Sequence, residues 1–136
     1  MIALDTNVVS ELMRASPDER VLRWVDAQPP ESLAVTAVTV AELLYGIARL
    51  PAGRKRKQLE AAVAETLEED FTILPFDEVA AVDYATIAAS QDLRGRKVAM
   101  ADAMIAATCL SAGAMLATRN TRDFVDLGIE LVDPWR

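Results

Sequence analysis

An α/β fold with a short, mainly parallel central sheet covered by helices on both faces is what this sequence predicts, and three observations point to it. Brief apolar runs alternate along the chain with segments of helical period. Those runs are apolar at successive positions, as strands buried on both faces are. One segment of helical length, 99–112, is apolar nearly all round, the pattern of a helix enclosed by other elements. With 136 residues and no repeat, low-complexity tract or linker, the chain reads as a single domain, 1–136.

The first run, Ile2-Ala3-Leu4, is stopped by Asp5-Thr6-Asn7, which predicts a buried strand with polar groups at its end and a helix beginning near Val8. Ser16-Pro17-Asp18-Glu19 reads as an N-cap, a proline in the first helical position and two first-turn acids, for a helix ending near Ala27 before Pro29-Pro30. Leu33-Ala34-Val35 predicts a second strand, and 38–50 a helix closed by Pro51 and Gly53. Over 54–70, Leu59, Ala62, Val63, Thr66 and Leu67 recur at the spacing of one helix face. A strand over 71–74, a helix over 78–93 and a turn at Gly95 follow. The apolar helix over 99–112 comes next, ended by Gly113. Met115-Leu116-Ala117, a short helical turn over 121–127 and Glu130-Leu131-Val132 complete the pattern. In such a sheet, ligand sites lie beyond the carboxyl ends of the strands, where Asp5 and the residues after Ala117 belong.

Composition removes several chemistries. The chain has no histidine, which excludes Ser-His-Asp, Cys-His and HExxH catalysis and any imidazole zinc ligand. The single cysteine, Cys109, lies in an apolar run where it packs as a small hydrophobe, and one cysteine cannot form a disulfide within the chain. Met1-Ile2-Ala3-Leu4 runs straight into Asp5, and no uncharged stretch nears the roughly 20 residues of a membrane span, so a cytoplasmic protein is expected. Fourteen Lys plus Arg stand against 21 Asp plus Glu, a net charge of −7, which opposes broad attraction to nucleic acid. A phosphate-bearing substrate must then be met by local positive charge or by a metal ion.

Most of the acids have a plain account as solvated faces or caps, among them Glu60, Glu65, Glu68, Glu69 and Asp70. Four lie in apolar surroundings instead: Asp5, Glu42, Asp102 and Asp123. Asp5 has a capping role open to it, Asp102 a helix-dipole role and Asp123 a first-turn role, whereas Glu42 has no evident partner in sequence. If the four converge, mutual repulsion raises their pKa values unless a cation intervenes. Oxygen ligands without His or Cys select a hard dication, Mg²⁺ or Mn²⁺. Thr6, Asn7, Thr39, Thr118 and Asn120 stand beside the acids as polar residues able to orient them. Such a site suits hydrolysis of phosphodiesters by metal-activated water.

At these residues the sequence resembles the PIN-domain family, in particular its VapC-type (FitB-like) ribonuclease toxins. The resemblance spans nearly the whole chain. It rests on Leu4-Asp5-Thr6-Asn7-Val8, on Thr39-Val40-Ala41-Glu42-Leu43-Leu44-Tyr45-Gly46, on Asp102-Ala103-Met104-Ile105-Ala106-Ala107-Thr108 and on Thr118-Arg119-Asn120-Thr121-Arg122-Asp123-Phe124, in that order. It implies a PIN-like three-layer α/β/α sandwich, with Asp5, Glu42, Asp102 and Asp123 as the quartet for Mg²⁺ or Mn²⁺ and Thr6 and Asn120 in support. It further implies a homodimeric endoribonuclease toxin that leaves 5′-phosphate and 3′-hydroxyl ends and is silenced by a small co-encoded antitoxin. Residues 51–70 match nothing specific in it, so substrate choice stays open.

Arg54-Lys55-Arg56-Lys57 sets four cations at a helix start, where the macrodipole disfavours them, and Arg119 and Arg122 flank Asn120 beside Asp123. All six are candidate contacts for RNA phosphates. Val9, Leu12, Met13, Tyr45, Ile47 and Leu50 supply apolar surface for the core, for a dimer interface or for a groove taking an antitoxin helix. Two other readings stay open: a non-catalytic dimeric scaffold or co-repressor for a DNA-binding antitoxin, and a metal-dependent DNA nuclease or phosphatase. The haloacid-dehalogenase type is disfavoured because Asp5-Thr6-Asn7 lacks the second aspartate of a DxD.

Overall fold

The computed structural model describes the backbone of residues 1–136 and every side chain except those at positions 69 and 70, so the expected solvent-facing acids there lie outside the described residues. In chain order the strands are β1 Ile2–Leu4, β2 Leu33–Thr36, β3 Thr72–Leu74, β4 Met115–Ala117 and β5 Leu131–Val132. The helices are α1 Thr6–Leu12, α2 Glu19–Asp26, α3 Ala37–Ala48, α4 Arg54–Asp70, α5 Glu78–Leu93 and α6 Met100–Ala112. Short 3-10 turns occupy Pro30–Ser32, which the sequence pattern does not reveal, and Thr121–Phe124.

The five strands form one all-parallel sheet in the order β3-β2-β1-β4-β5. Alternation along the strands sends side chains to two cores. Ala3, Ala34, Leu74 and Leu116 join Ile87 of α5 and Ala103, Ile105, Ala106, Ala107 and Cys109 of α6. Leu4, Leu33, Val35 and Ala117 join Val8 and Val9 of α1, Val21 of α2, Leu43 and Ile47 of α3, and Val63 and Leu67 of α4. The result is the expected three-layer sandwich. Small residues on both partners, Ala3 and Ala34 from the sheet and Ala103, Ala106 and Ala107 from α6, let that helix lie close against the strands.

The predicted N-cap of α2 is corrected. Ser16 and Pro17 stand outside the helix, and Asp18 caps it, accepting from the Arg20 N–H at 2.9 Å and from the Arg20 guanidinium at 2.8 Å. Asp18 is chosen because Glu11, buried on α1, accepts the Asp18 N–H at 3.0 Å and fixes the chain where the helix begins. The Arg20 bonds hold the Asp18 carboxyl down at about 2. Gly113 ends α6 in the left-handed region (φ 67°), which an L side chain adopts only with strain.

Candidate active site

β1 is central. From it the chain builds outward on one side through β2 and β3, and returns on the other through β4 and β5, so the strand order reverses between β1 and β4. At the carboxyl ends of two such strands the flanking connections diverge and leave a crevice. Asp5 follows β1 and Thr118 follows β4 there, and the Asp5 N–H donates to the Ala117 carbonyl at 2.9 Å.

Asp5 is buried, 6% exposed, and its carboxylate is fully engaged. Oδ1 accepts the Thr6 N–H at 2.8 Å, so the capping role is real. Oδ2 accepts the Thr118 hydroxyl at 2.7 Å and the Asn7 amide at 3.4 Å. Asn7 in turn donates to Thr118 Oγ1 at 3.3 Å and accepts the Arg119 N–H at 3.2 Å, stitching the two strand ends together. Burial raises the Asp5 carboxyl above its usual range; the Thr118 and Thr6 bonds oppose that rise, and the charges of Glu42 and Asp123 add to it. Glu42, one turn into α3, finds its partner across the crevice: the Thr6 hydroxyl donates to Oε1 at 2.8 Å. Thr39 serves the fold, buried and bonded to the Thr36 side chain that caps α3.

Asp102 stands half-buried in the first turn of α6 and titrates near 6, first because burial penalises its charge and then because Asp5, Asp123 and Glu42 repel it. The four acids therefore share one field, though they come from four separate stretches of chain. Asp123, exposed on the 3-10 turn, is placed by its N–H, which donates to the Asn120 carbonyl at 3.0 Å. Asn120 contributes through its backbone, donating its N–H to Thr118 Oγ1 at 3.0 Å.

Among the described residues the side-chain donors at the crevice are oxygens of carboxylates, hydroxyls and the Asn7 amide, since Cys109 faces the core with its thiol pushed up to about 12 by burial. That donor set fits a hard dication. Among the described residues no three acids close to the spacing of a finished metal cage. The arrangement is a loose ring of negative charge whose repulsion a dication relieves.

The candidate phosphate contacts scatter. Arg119 sets its guanidinium 5.0 Å from the centroid of the Trp135 ring, a cation–π contact directed at the C-terminal segment. Arg122 lines a cavity of about 670 Å³ whose walls include Asp102 and Asp123. Lys55 lines a second, largely apolar cavity of about 780 Å³ with Thr6, Glu42, Leu43 and Ile47. Arg54 and Lys57 border a depression away from the acids, and Arg56 pairs with Glu60 at 2.9 Å. The sequence reading overlooked Arg96 and Lys97, which share the first cavity with Arg122; the cationic run Arg94-Gly95-Arg96-Lys97 just ahead of α6 was the available signal.

The sequence pattern of the PIN domain matches residues 2–130. The chain belongs to the PIN-domain family. Among its relatives, the VapC ribonuclease Y4jK of Sinorhizobium fredii is 45% identical over 139 residues, covering 99% of this chain and 98% of that protein. The toxin FitB of Neisseria gonorrhoeae is 40% identical over 137 residues, covering 99% of each. Among solved structures, that of FitAB bound to an IR36 DNA fragment superposes with a TM-score of 0.91 at 39% identity, covering 100% of this chain and 96% of that one. PIN-domain nucleases work with a divalent metal, in keeping with the oxygen-only donor set of this PIN domain. No helix is long and apolar enough to cross a membrane.

Proposed function

We propose that this PIN domain is a Mg²⁺- or Mn²⁺-dependent endoribonuclease, the toxin of a VapBC-type pair, with Asp5, Glu42, Asp102 and Asp123 as its metal-binding acids. The observation that carries this reading is the meeting of Asp5 and Glu42, bridged by the adjacent Thr6, at the β1/β4 crevice, with Asp102 and Asp123 in the same field. Bound there, Mg²⁺ or Mn²⁺ supplies the Lewis acidity and water activation that a chain without imidazole otherwise lacks. The chain's own residues supply position. Thr118 and Asn7 hold the Asp5 carboxylate in one orientation, Thr6 does the same for Glu42, and burial keeps competing water from Asp5.

The likeness to FitB and to the FitAB complex supports a small antitoxin as partner, and the proposal includes a homodimeric toxin acting in the cytoplasm. The apolar cavity beside Glu42, walled by Met13, Leu43, Ile47 and Leu50, offers an antitoxin helix its face. A second role, anchoring an antitoxin on DNA, is favoured by the DNA-bound state of that same relative, with the antitoxin making the DNA contacts because this chain carries a net charge of −7. The test is cleavage of total RNA and of DNA by the partner-free protein, with and without Mg²⁺ or Mn²⁺. Cleavage of RNA alone, only with metal, and lost in Asp5→Asn and Asp102→Asn, is the expected result; undiminished activity of Asp102→Asn sinks the assignment.

A further inference from the structure

The cavity on the Asp102 and Asp123 side carries positive charge that the reading above does not use. Arg96, Lys97 and Arg122 stand on its rim. Arg96 is committed: its guanidinium donates to the Asp126 carboxylate at 2.7 Å, tying the linker between α5 and α6 to the segment that follows the Thr121–Phe124 turn. Among the described residues Lys97 and Arg122 make no ion pair, although Asp102, Asp123 and Asp126 line the same walls. Two open cations from two separate segments that line one solvent-open cavity, in a strongly acidic chain, form a local anion site next to the acids that need a phosphodiester. The apolar cavity beside Glu42 is lined by Arg14, which pairs with Glu11 at 3.4 Å, and by Lys55, so among the described residues it offers one open cation where this cavity offers two.

We infer that Lys97 and Arg122 bind the RNA backbone phosphate adjoining the cleaved one, with the Arg96–Asp126 ion pair tying together the two segments that carry them. This rests on the endoribonuclease reading. Arg122, next to Asp123, has the planar fork that grips a phosphate through two hydrogen bonds, and Lys97 adds a point charge from the linker between α5 and α6. The contacts are to backbone and therefore set the register of the strand without selecting bases.

The test uses the full chain free of antitoxin and a short fluorescein-labelled single-stranded RNA, with binding read by anisotropy in calcium and cleavage in magnesium. Lys97→Gln and Arg122→Gln are each expected to weaken binding about tenfold and to lower the slope of log Kd against log salt by about 0.7, the loss of one phosphate contact to a single strand. KM rises in step while kcat stays within about twofold, and Lys97→Arg restores binding. Arg23→Gln, which removes an exposed charge far from the cavity, measures the effect of net charge alone. If Lys97→Gln and Arg122→Gln match Arg23→Gln in affinity and slope while the unmodified protein cleaves RNA, the subsite is wrong and the ribonuclease reading stands. If the unmodified protein neither binds nor cuts RNA with any of these metals, both fall.

Discussion

Single atoms decide the chemistry at Asp5. A carboxylate only 6% exposed tolerates its charge because three donors meet it, the shortest being the Thr118 hydroxyl at 2.7 Å. Thr118→Val keeps the shape and removes that donor, so it should cost about 1–3 kcal/mol in urea unfolding. The same change should slow RNA cleavage by about 10–100-fold, since the acid loses its orientation. Asp102 makes a second residue-scale prediction. Its carboxyl titrates near 6 in the fold against 3.8 in the unfolded chain, so the folded state favours the proton. Its contribution to stability is therefore complete below about pH 4 and is lost as pH rises through 6. In chelator, the melting temperature of the metal-free protein should fall across that window, Asp102→Asn should flatten the fall, and saturating Mg²⁺ should reverse it. Cys109, fully buried with its thiol pushed up to about 12, should resist thiol reagents in the native protein at neutral pH and react once urea is added.

Helices place these residues through their caps and their packing. Asp5 is at once the N-cap of α1 and a proposed metal-site acid, and Thr36 caps α3 so that Glu42 emerges in the second turn within reach of Thr6. The cap of α2 is testable by a pair of substitutions: Asp18→Ala should lower the melting temperature, whereas Ser16→Ala should leave it unchanged. α6 carries Asp102 at its first turn and is held against the sheet by small side chains, with Ala106 and Ala107 fully buried. Ala106→Leu has no room and should cost about 1–3 kcal/mol; by shifting α6 it should also reduce RNA cleavage more than Asp18→Ala does.

Over the whole molecule, two apolar clusters on opposite faces of one parallel sheet carry the stability, and the acids proposed to hold the metal belong to neither. Removal of metal should therefore abolish cleavage while leaving the far-ultraviolet circular dichroism unchanged, a separation of function from folding. The net charge of −7 opposes attraction of RNA by the general field, so the affinity of the proposed phosphate contacts should fall when particular cations are removed.

Strand and helix positions were legible because hydrophobic period and stop signals are local: Ile2–Leu4, Met115–Ala117 and the largely apolar Met100–Ala112 all lie where their patterns put them. The acids, too, were marked one by one by their apolar surroundings, and the absence of histidine already narrowed the chemistry to oxygen ligands. The partners of those acids were not legible. Thr118 reaches Asp5 across 113 positions and Thr6 reaches Glu42 across 36, and no local periodicity records a contact made by strand order. The same reason turned Arg119 toward Trp135, left Arg122 at the acids, and brought Lys97 from an unremarked linker into their cavity. Local sequence dictates which backbone each segment adopts, whereas the reversal of strand order between β1 and β4 dictates which side chains share a crevice.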